Sequence, residues 1–190
     1  MILTPNNEYA VVLDACVLIP MPLMDTLLRL AEEPSLYRPL WSDPILQEVG
    51  NCLEQKLRYT PEQVSKRLTV MREHFPEAII PIPPNLLASL QCMPDPNDRH
   101  VLAAAIRGHA NAIVTLNIKH FPEGCIREYD LVVQHPDEFL AHQFHMNPDL
   151  VLEKLDAQAA AIKKDREAVI ALLRKRVQAP NFADLVAGRS

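Results

Sequence analysis

The most constraining feature of this 190-residue sequence is a short apolar run, Ala10–Leu13, that ends directly in the acid Asp14. A run without alternating polar residues is typical of a strand that is buried on both faces, as in a parallel sheet. Segments with helical periodicity follow this run and alternate with further short apolar runs. The alternation predicts an α/β fold, in which helices cover a central parallel sheet.

Helix starts are marked by a polar residue followed by proline, because the polar side chain caps the helix and proline suits its first turn. Asp43-Pro44, Thr60-Pro61, His135-Pro136 and Asn147-Pro148 have this form, with Asp43 as the expected cap of its helix. Further predicted helices cover residues 23–31 and 99–109, and further predicted strands cover residues 38–41, 78–82, 111–116 and 131–133.

After Asn147-Pro148 the sequence becomes rich in Ala, Leu, Lys and Glu, which predicts helix as far as Val177. We therefore expect an α/β domain over residues 1–145 and a helical C-terminal extension over residues 146–190. A helical stripe in this extension must be covered by the domain or by a partner. The stripe consists of Leu152, Leu155, Ala159 and Ile162.

Composition restricts the class of protein. The net charge of −5 does not suit a protein that coats nucleic acid, but it suits a compact acidic metal site. The four cysteines lack metal-binding spacing, and no apolar stretch is long enough to span a membrane. With four glycines in the chain, a glycine-rich nucleotide-binding loop is excluded. We expect a cytoplasmic protein with reduced thiols and no membrane partner.

Four residues are candidates for a catalytic site. Asp14 ends the first strand, and Asn117 follows the strand that reaches Thr115. Asp98 extends the sheet-facing stripe of its predicted helix. Glu48 belongs to another predicted helix and lies beside the apolar face of that helix. Each also has an ordinary explanation, since Asp14 and Asp98 could cap, Asn117 could form a turn and Glu48 could be solvated.

Taken together, the candidate residues indicate a metal site. Ligands of open α/β sheets bind at the carboxyl ends of the strands. Carboxylates that converge there repel one another and raise each other's pKa unless a cation is bound. Mg²⁺ or Mn²⁺ prefers oxygen ligands and activates water for phosphodiester hydrolysis. The set therefore fits a divalent metal site with Asp14, Glu48 and Asp98.

The order and spacing of these segments resemble a PIN domain, and within that family a VapC-like toxin nuclease, over roughly residues 8–143. The resembling segments are residues 11–18, 42–48, 95–105, 113–121 and 135–140. The chain departs from many relatives at Ala15, Cys16 and His120, where Thr or Ser, Asn or Ser, and Asp are common.

The resemblance implies a PIN-like α/β/α fold and a metal-dependent endoribonuclease that is the toxin of a type II toxin–antitoxin pair. It implies Asp14, Glu48 and Asp98 as metal ligands, and Asn117 as an auxiliary catalytic residue. The partners it implies are an RNA substrate and a cognate antitoxin protein, and a homodimer is a possible assembly. Two alternatives stay open: a PIN nuclease that acts on DNA or structured nucleic acid, and a catalytically weak PIN domain that serves as a binding module.

Overall fold

The structure, a computed structural model, describes residues 9–177 and 179–189, and it confirms the α/β class. Four short strands alternate with helices: β1 Ala10–Leu13, α1 Ala15–Leu18, α2 Met21–Ala31, β2 Arg38–Leu40, α3 Asp43–Gln55, α4 Pro61–His74, α5 Pro84–Ser89, α6 Arg99–Arg107, β3 Ala112–Val114, α7 Glu123–Ile126, β4 Val132–Gln134, α8 Pro136–Met146, α9 Pro148–Ala161, α10 Arg166–Val177 and α11 Pro180–Ala187. Among the described residues, no helix has the length and apolarity needed to cross a membrane.

The four strands form one parallel sheet in the order β2-β1-β3-β4. Strand β1 is central, and its Val11 pairs with Pro39 of β2 and with Ala112 of β3. Every residue of β1 and β3 is fully buried. Successive strand residues point to opposite faces, so this burial means that both faces of the sheet are covered.

The predicted strand over residues 78–82 is wrong. Only Ile79 forms an isolated parallel bridge, to Trp41, and Ala78 belongs to a 3₁₀ turn. Two backbone hydrogen bonds hold the segment there: Trp41 N donates to Ala78 O at 2.9 Å, and Ile80 N donates to Trp41 O at 2.8 Å. Pro81 follows and has no N–H, so the pairing with the sheet cannot continue.

The helix caps follow the sequence signals with one shift. Thr60 caps α4 in a capping box with Gln63, and Asn147 caps α9 by accepting from Leu150 N at 3.1 Å. For α3 the cap is Ser42 rather than Asp43, since the Ser42 hydroxyl accepts from Ile45 N at 3.4 Å. Asp43 instead lies in the first helical turn, where its negative charge interacts favourably with the positive end of the helix dipole.

The helix predicted to reach Val177 is two helices, because α9 ends at Ala161 and a turn with Lys163 at a positive φ of 56° precedes α10. Helix α11 follows from Pro180. The buried face of α9 consists of Val151, Leu155, Gln158 and Ala159. Helix α9 packs on α2, and α11 packs on α8. Ile162, which was expected in the covered stripe, is 45% exposed because the helix has already ended.

Candidate active site

The candidate site forms at the carboxyl ends of the two central strands. Asp14 directly follows β1, and its backbone N–H donates to Val114 O of β3 at 3.1 Å. The Asp14 side chain is almost fully buried, and its Oδ2 accepts a hydrogen bond of 2.7 Å from the Thr115 hydroxyl. Asp14 does not cap α1 with its side chain. The carboxylate is therefore held by the neighbouring strand.

Cys16 completes the surroundings of Asp14. Its thiol donates to Asp14 Oδ2 at 3.1 Å, and its sulfur accepts from Leu116 N at 3.2 Å. Burial and the charge of Asp14 raise the pKa of the Cys16 thiol to about 12. Cys16 therefore stays a neutral hydrogen-bond donor at physiological pH and supports the Asp14 carboxylate.

Asp98 lies at the end of a 3₁₀ turn, Pro96–Asp98, that leads directly into α6. It is the N-cap residue of α6 by position, but its side chain makes no capping hydrogen bond. Its Oδ2 instead lies 2.8 Å from Nδ1 of His120. Burial raises the pKa of the Asp98 carboxyl, His120 opposes that shift, and the charges of Asp95 and Asp14 add to it.

Glu48 projects from α3, whose buried face of Ile45, Val49 and Leu53 fixes the helix on the core. The Glu48 side chain is half-exposed, and its Oε1 lies 3.5 Å from Nε2 of His100. Burial raises the pKa of the Glu48 carboxyl, His100 opposes this shift, and the charges of Asp14, Asp98 and Asp95 add to it. The charges of Asp14 and Asp98 are thus near enough to act on Glu48.

One cavity of about 320 Å³ brings the predicted residues together. Asp14, Glu48, Asp98 and Asn117 all line it, and Lys56 adds a single cationic side chain to its wall. Asn117 is exposed, and its backbone N–H donates to the Thr115 hydroxyl at 3.0 Å. We call this cavity, with Asp14, Glu48, Asp98 and Asn117, the acidic crevice.

The donors of the acidic crevice fit a hard divalent cation. All four are oxygen donors, which Mg²⁺ and Mn²⁺ prefer, and Mg²⁺ commonly uses one or two carboxylates and keeps several waters. Within residues 9–177 and 179–189, no three His, Cys, Asp or Glu side chains already stand in a cluster that could hold a metal. Glu48 instead lies 3.5 Å from His100, and Asp98 lies 2.8 Å from His120.

Sequence reasoning missed three side chains that position the acids. Thr115 and Cys16 hold Asp14, and His120 contacts Asp98. Thr115 could have been found, because it lies near the end of a predicted strand, as Asp14 does. The contact between His120 and Asp98 depends on a 3₁₀ turn, Ile118–His120, which the hydrophobic periodicity of the sequence does not predict.

The fold thus defines an α/β protein with a carboxylate-lined crevice at the carboxyl edge of a parallel sheet, where ligands of open α/β sheets bind. A family model described as PIN domain matches residues 10–119, more than half of the chain. The chain therefore belongs to the PIN domain family. This match includes Asp14, Glu48, Asp98 and Asn117 and ends before α7.

A relative supports the same family. Over 49 residues, the chain is 51% identical to a Mycobacterium tuberculosis protein named "Putative ribonuclease VapC50". The matched segment covers 26% of this chain and 29% of the relative, so it spans less than a third of that protein's length. No solved structure matches the chain significantly.

Proposed function

We propose that this protein is a divalent-cation-dependent endoribonuclease of the cytoplasm and the toxin of a type II toxin–antitoxin pair. The observation that carries the catalytic part is the acidic crevice, in which three carboxylates from separate parts of the chain line one cavity. Membership in the PIN domain family and the similarity to a protein named as a ribonuclease support it. The toxin role and the cognate antitoxin rest on the VapC-like resemblance.

Asp14, Glu48 and Asp98 are the residues that would hold Mg²⁺ or Mn²⁺. The cation supplies a Lewis acid that polarises the scissile phosphate and lowers the pKa of a bound water. Thr115 and Cys16 hold one oxygen of Asp14, which fixes the orientation of its carboxylate in the crevice. Asn117 offers a neutral amide at the rim, where it can orient a water by hydrogen bonding.

The acidic crevice itself repels a polyanion, so substrate binding and the cation are linked. Burial raises the pKa of the Glu48 and Asp98 carboxyls, and the neighbouring acids add to this shift, so their negative charges are unfavourable in the metal-free crevice. A divalent cation would offset this cost and weaken the repulsion that a phosphate meets. RNA should therefore bind in the crevice more tightly with the cation than without it.

The decisive experiment is a cleavage assay on a short single-stranded RNA with Mg²⁺, with Mn²⁺ and with excess EDTA. Cleavage should require the cation and should fall strongly in Asp14→Asn and Glu48→Gln. Glu54→Gln is the matched control, because Glu54 is an exposed acid on α3 that does not line the crevice. Cleavage that persists in excess EDTA would contradict the proposed mechanism.

Two further arms separate the alternatives. A DNA strand of the same sequence should resist cleavage, and equal cleavage of both strands would favour the DNA-directed alternative. Induced expression of the protein in a bacterium should arrest growth, whereas the Glu48→Gln variant should not. A folded protein that binds RNA but never cleaves it would favour the binding-module alternative.

A further inference from the structure

A second cavity, of about 470 Å³, shares the side chain of Glu48 with the acidic crevice. Its other polar lining residues are Asn97, Arg99 and His100, and the rest of its wall is apolar. The two cavities therefore differ in character, because one is lined by carboxylates and the other contains a guanidinium and an imidazole. We call the second cavity the Arg99 subsite.

Two nitrogens of the Arg99 subsite are buried without a hydrogen-bond partner among the described residues. They are Nε of Arg99 and Nε2 of His100. His100 is only 9% exposed, and its Nε2 lies 3.5 Å from Glu48 Oε1, which is too long for a strong hydrogen bond. Buried donors without acceptors are rare in folded proteins and call for a missing acceptor.

The guanidinium of Arg99 is only partly used by the protein. Its Nη2 donates to the side-chain oxygen of Gln91 at 3.3 Å, a long contact between exposed groups. The remaining donors form the planar fork that matches the oxygens of a phosphate. The guanidinium also brings a positive charge to the cavity wall, which attracts an anion.

The position of these residues in the fold favours an anion as well. Arg99 and His100 form the start of α6, a helix of nine residues, and the N-cap residue Asp98 leaves the helix end without a side-chain cap. The N–H groups of a first helical turn and the helix dipole both favour negative charge. The helix start, the guanidinium and the buried imidazole therefore act in the same direction.

We propose that the Arg99 subsite binds a backbone phosphate of single-stranded RNA, next to the phosphate held in the acidic crevice. This inference rests on the proposed function. Because Glu48 lines both cavities, one extended strand can place neighbouring phosphates on either side of it. Arg99 supplies the charge, and His100 supplies an N–H donor that a neutral imidazole also has.

The test measures binding of a fluorescently labelled single-stranded RNA in EDTA, so that no cleavage occurs, across a range of salt concentrations. Arg99→Gln should bind about ten-fold more weakly than wild type, because a charge-assisted phosphate contact is lost. The slope of log K against log salt should become shallower by about 0.7, the value for one phosphate contact on a single strand. Arg107→Gln is the matched control, since Arg107 is exposed in the last turn of α6 and should change neither quantity.

A second measurement locates the phosphate. RNAs that each carry one uncharged methylphosphonate at successive positions are bound to wild type and to Arg99→Gln. At one position, the methylphosphonate should weaken binding to wild type but not to Arg99→Gln, because the variant already lacks the contact with that phosphate. His100→Phe should weaken binding in the same position-dependent way, and far-UV circular dichroism of each variant checks folding.

The outcomes distinguish this inference from the proposed function. If wild type binds and cleaves RNA, and Arg99→Gln matches Arg107→Gln in affinity and salt slope, the Arg99 subsite is overturned and the nuclease function stands. If wild type neither binds nor cleaves RNA, the proposed function is overturned together with the subsite. A methylphosphonate scan without a position specific to Arg99 would also overturn the subsite.

Discussion

Asp14 and Thr115 are 101 positions apart in the chain, yet the Thr115 hydroxyl donates a 2.7 Å hydrogen bond to the Asp14 carboxylate. This bond joins the ends of β1 and β3, the two central strands of the sheet. Both residues are buried, so the bond is shielded from competing water. The orientation of the first acid is thus set by the strand beside it.

Thr115→Val should therefore damage both stability and the site. Valine has nearly the shape of threonine but cannot donate, so the buried Asp14 carboxylate loses its shortest hydrogen bond. We expect a loss of about 1–3 kcal/mol in the free energy of unfolding, measured by urea denaturation. Thr115→Ser keeps the hydroxyl and should retain most of the stability and cleavage activity. Equal losses in the two variants would show that the methyl group contributes as much as the hydroxyl and would contradict this prediction.

The raised pKa of Glu48 predicts how the stability of the protein depends on pH. Its pKa is raised in the folded protein, so the folded state binds more protons than the unfolded state in the window just above the ordinary glutamate pKa of about 4.3. The contribution of Glu48 to the stability of metal-free protein should therefore decrease as pH rises through this window. At neutral pH in EDTA, Glu48→Gln should be more stable than wild type, by less than about 1 kcal/mol because water screens this half-exposed group.

Urea denaturation of both proteins from pH 4 to pH 7 measures this difference, with Glu54→Gln as the control. Saturating Mn²⁺ should reverse the order at neutral pH, since the cation stabilises wild type by binding the carboxylate. A wild type that is more stable than Glu48→Gln in EDTA at neutral pH would contradict the raised pKa.

Asn117 should matter less than Asp98 for catalysis. Its amide is exposed at the rim, and its hydrogen bond to Thr115 is made by its backbone N–H, which Asn117→Ala retains. We expect Asn117→Ala to lower the cleavage rate by roughly ten-fold and Asp98→Ala by on the order of a hundred-fold or more. Single-turnover rates at saturating RNA and Mn²⁺ provide the comparison. Equal losses in two folded variants would place Asn117 among the primary residues.

The C-terminal helices should stabilise the fold without entering the chemistry. Leu155 of α9 is 1% exposed and belongs to the core, so Leu155→Ala should cost about 2–5 kcal/mol of unfolding free energy. Ile162→Ala should change it by less than about 0.5 kcal/mol, because Ile162 is largely exposed. The Mn²⁺ affinity of folded protein should be the same in both. A loss of Mn²⁺ affinity confined to Leu155→Ala would connect α9 to the crevice.

The sequence predicts the sheet better than the details around it. Buried apolar runs identify β1 and β3, since full burial on both faces excludes polar residues from them. The segment at residues 78–82 has the same apolar character, but Pro81 removes the N–H that a sheet strand needs. Local composition shows Pro81, but it does not show the backbone hydrogen bonds to Trp41, a residue distant in the chain, that hold the segment at an isolated bridge.

The candidate site is predictable to a similar extent. The positions of Asp14 and Asp98 at the ends of regular elements indicate that they meet at one sheet edge, and both do line the acidic crevice. Their contacts with Thr115 and His120 are not predictable, because they depend on side-chain directions and turn geometry. The division at residue 145 also stays a prediction. The buried contacts of Leu155 and Phe182 make the C-terminal helices part of the common core.

The buried amide of Gln158 determines how α9 aligns with α2. Its Oε1 accepts from the Thr26 hydroxyl at 2.7 Å, and its Nε2 donates to Pro22 O at 3.0 Å, so both ends of the amide are bonded to α2. Sliding α9 by one turn would bring Lys154 or Ile162 opposite Thr26 and would move the Gln158 amide away from both of its partners on α2. Leucines and alanines alone would tolerate several such alignments. A single polar residue thus selects one register between two helices that are 132 positions apart at this contact.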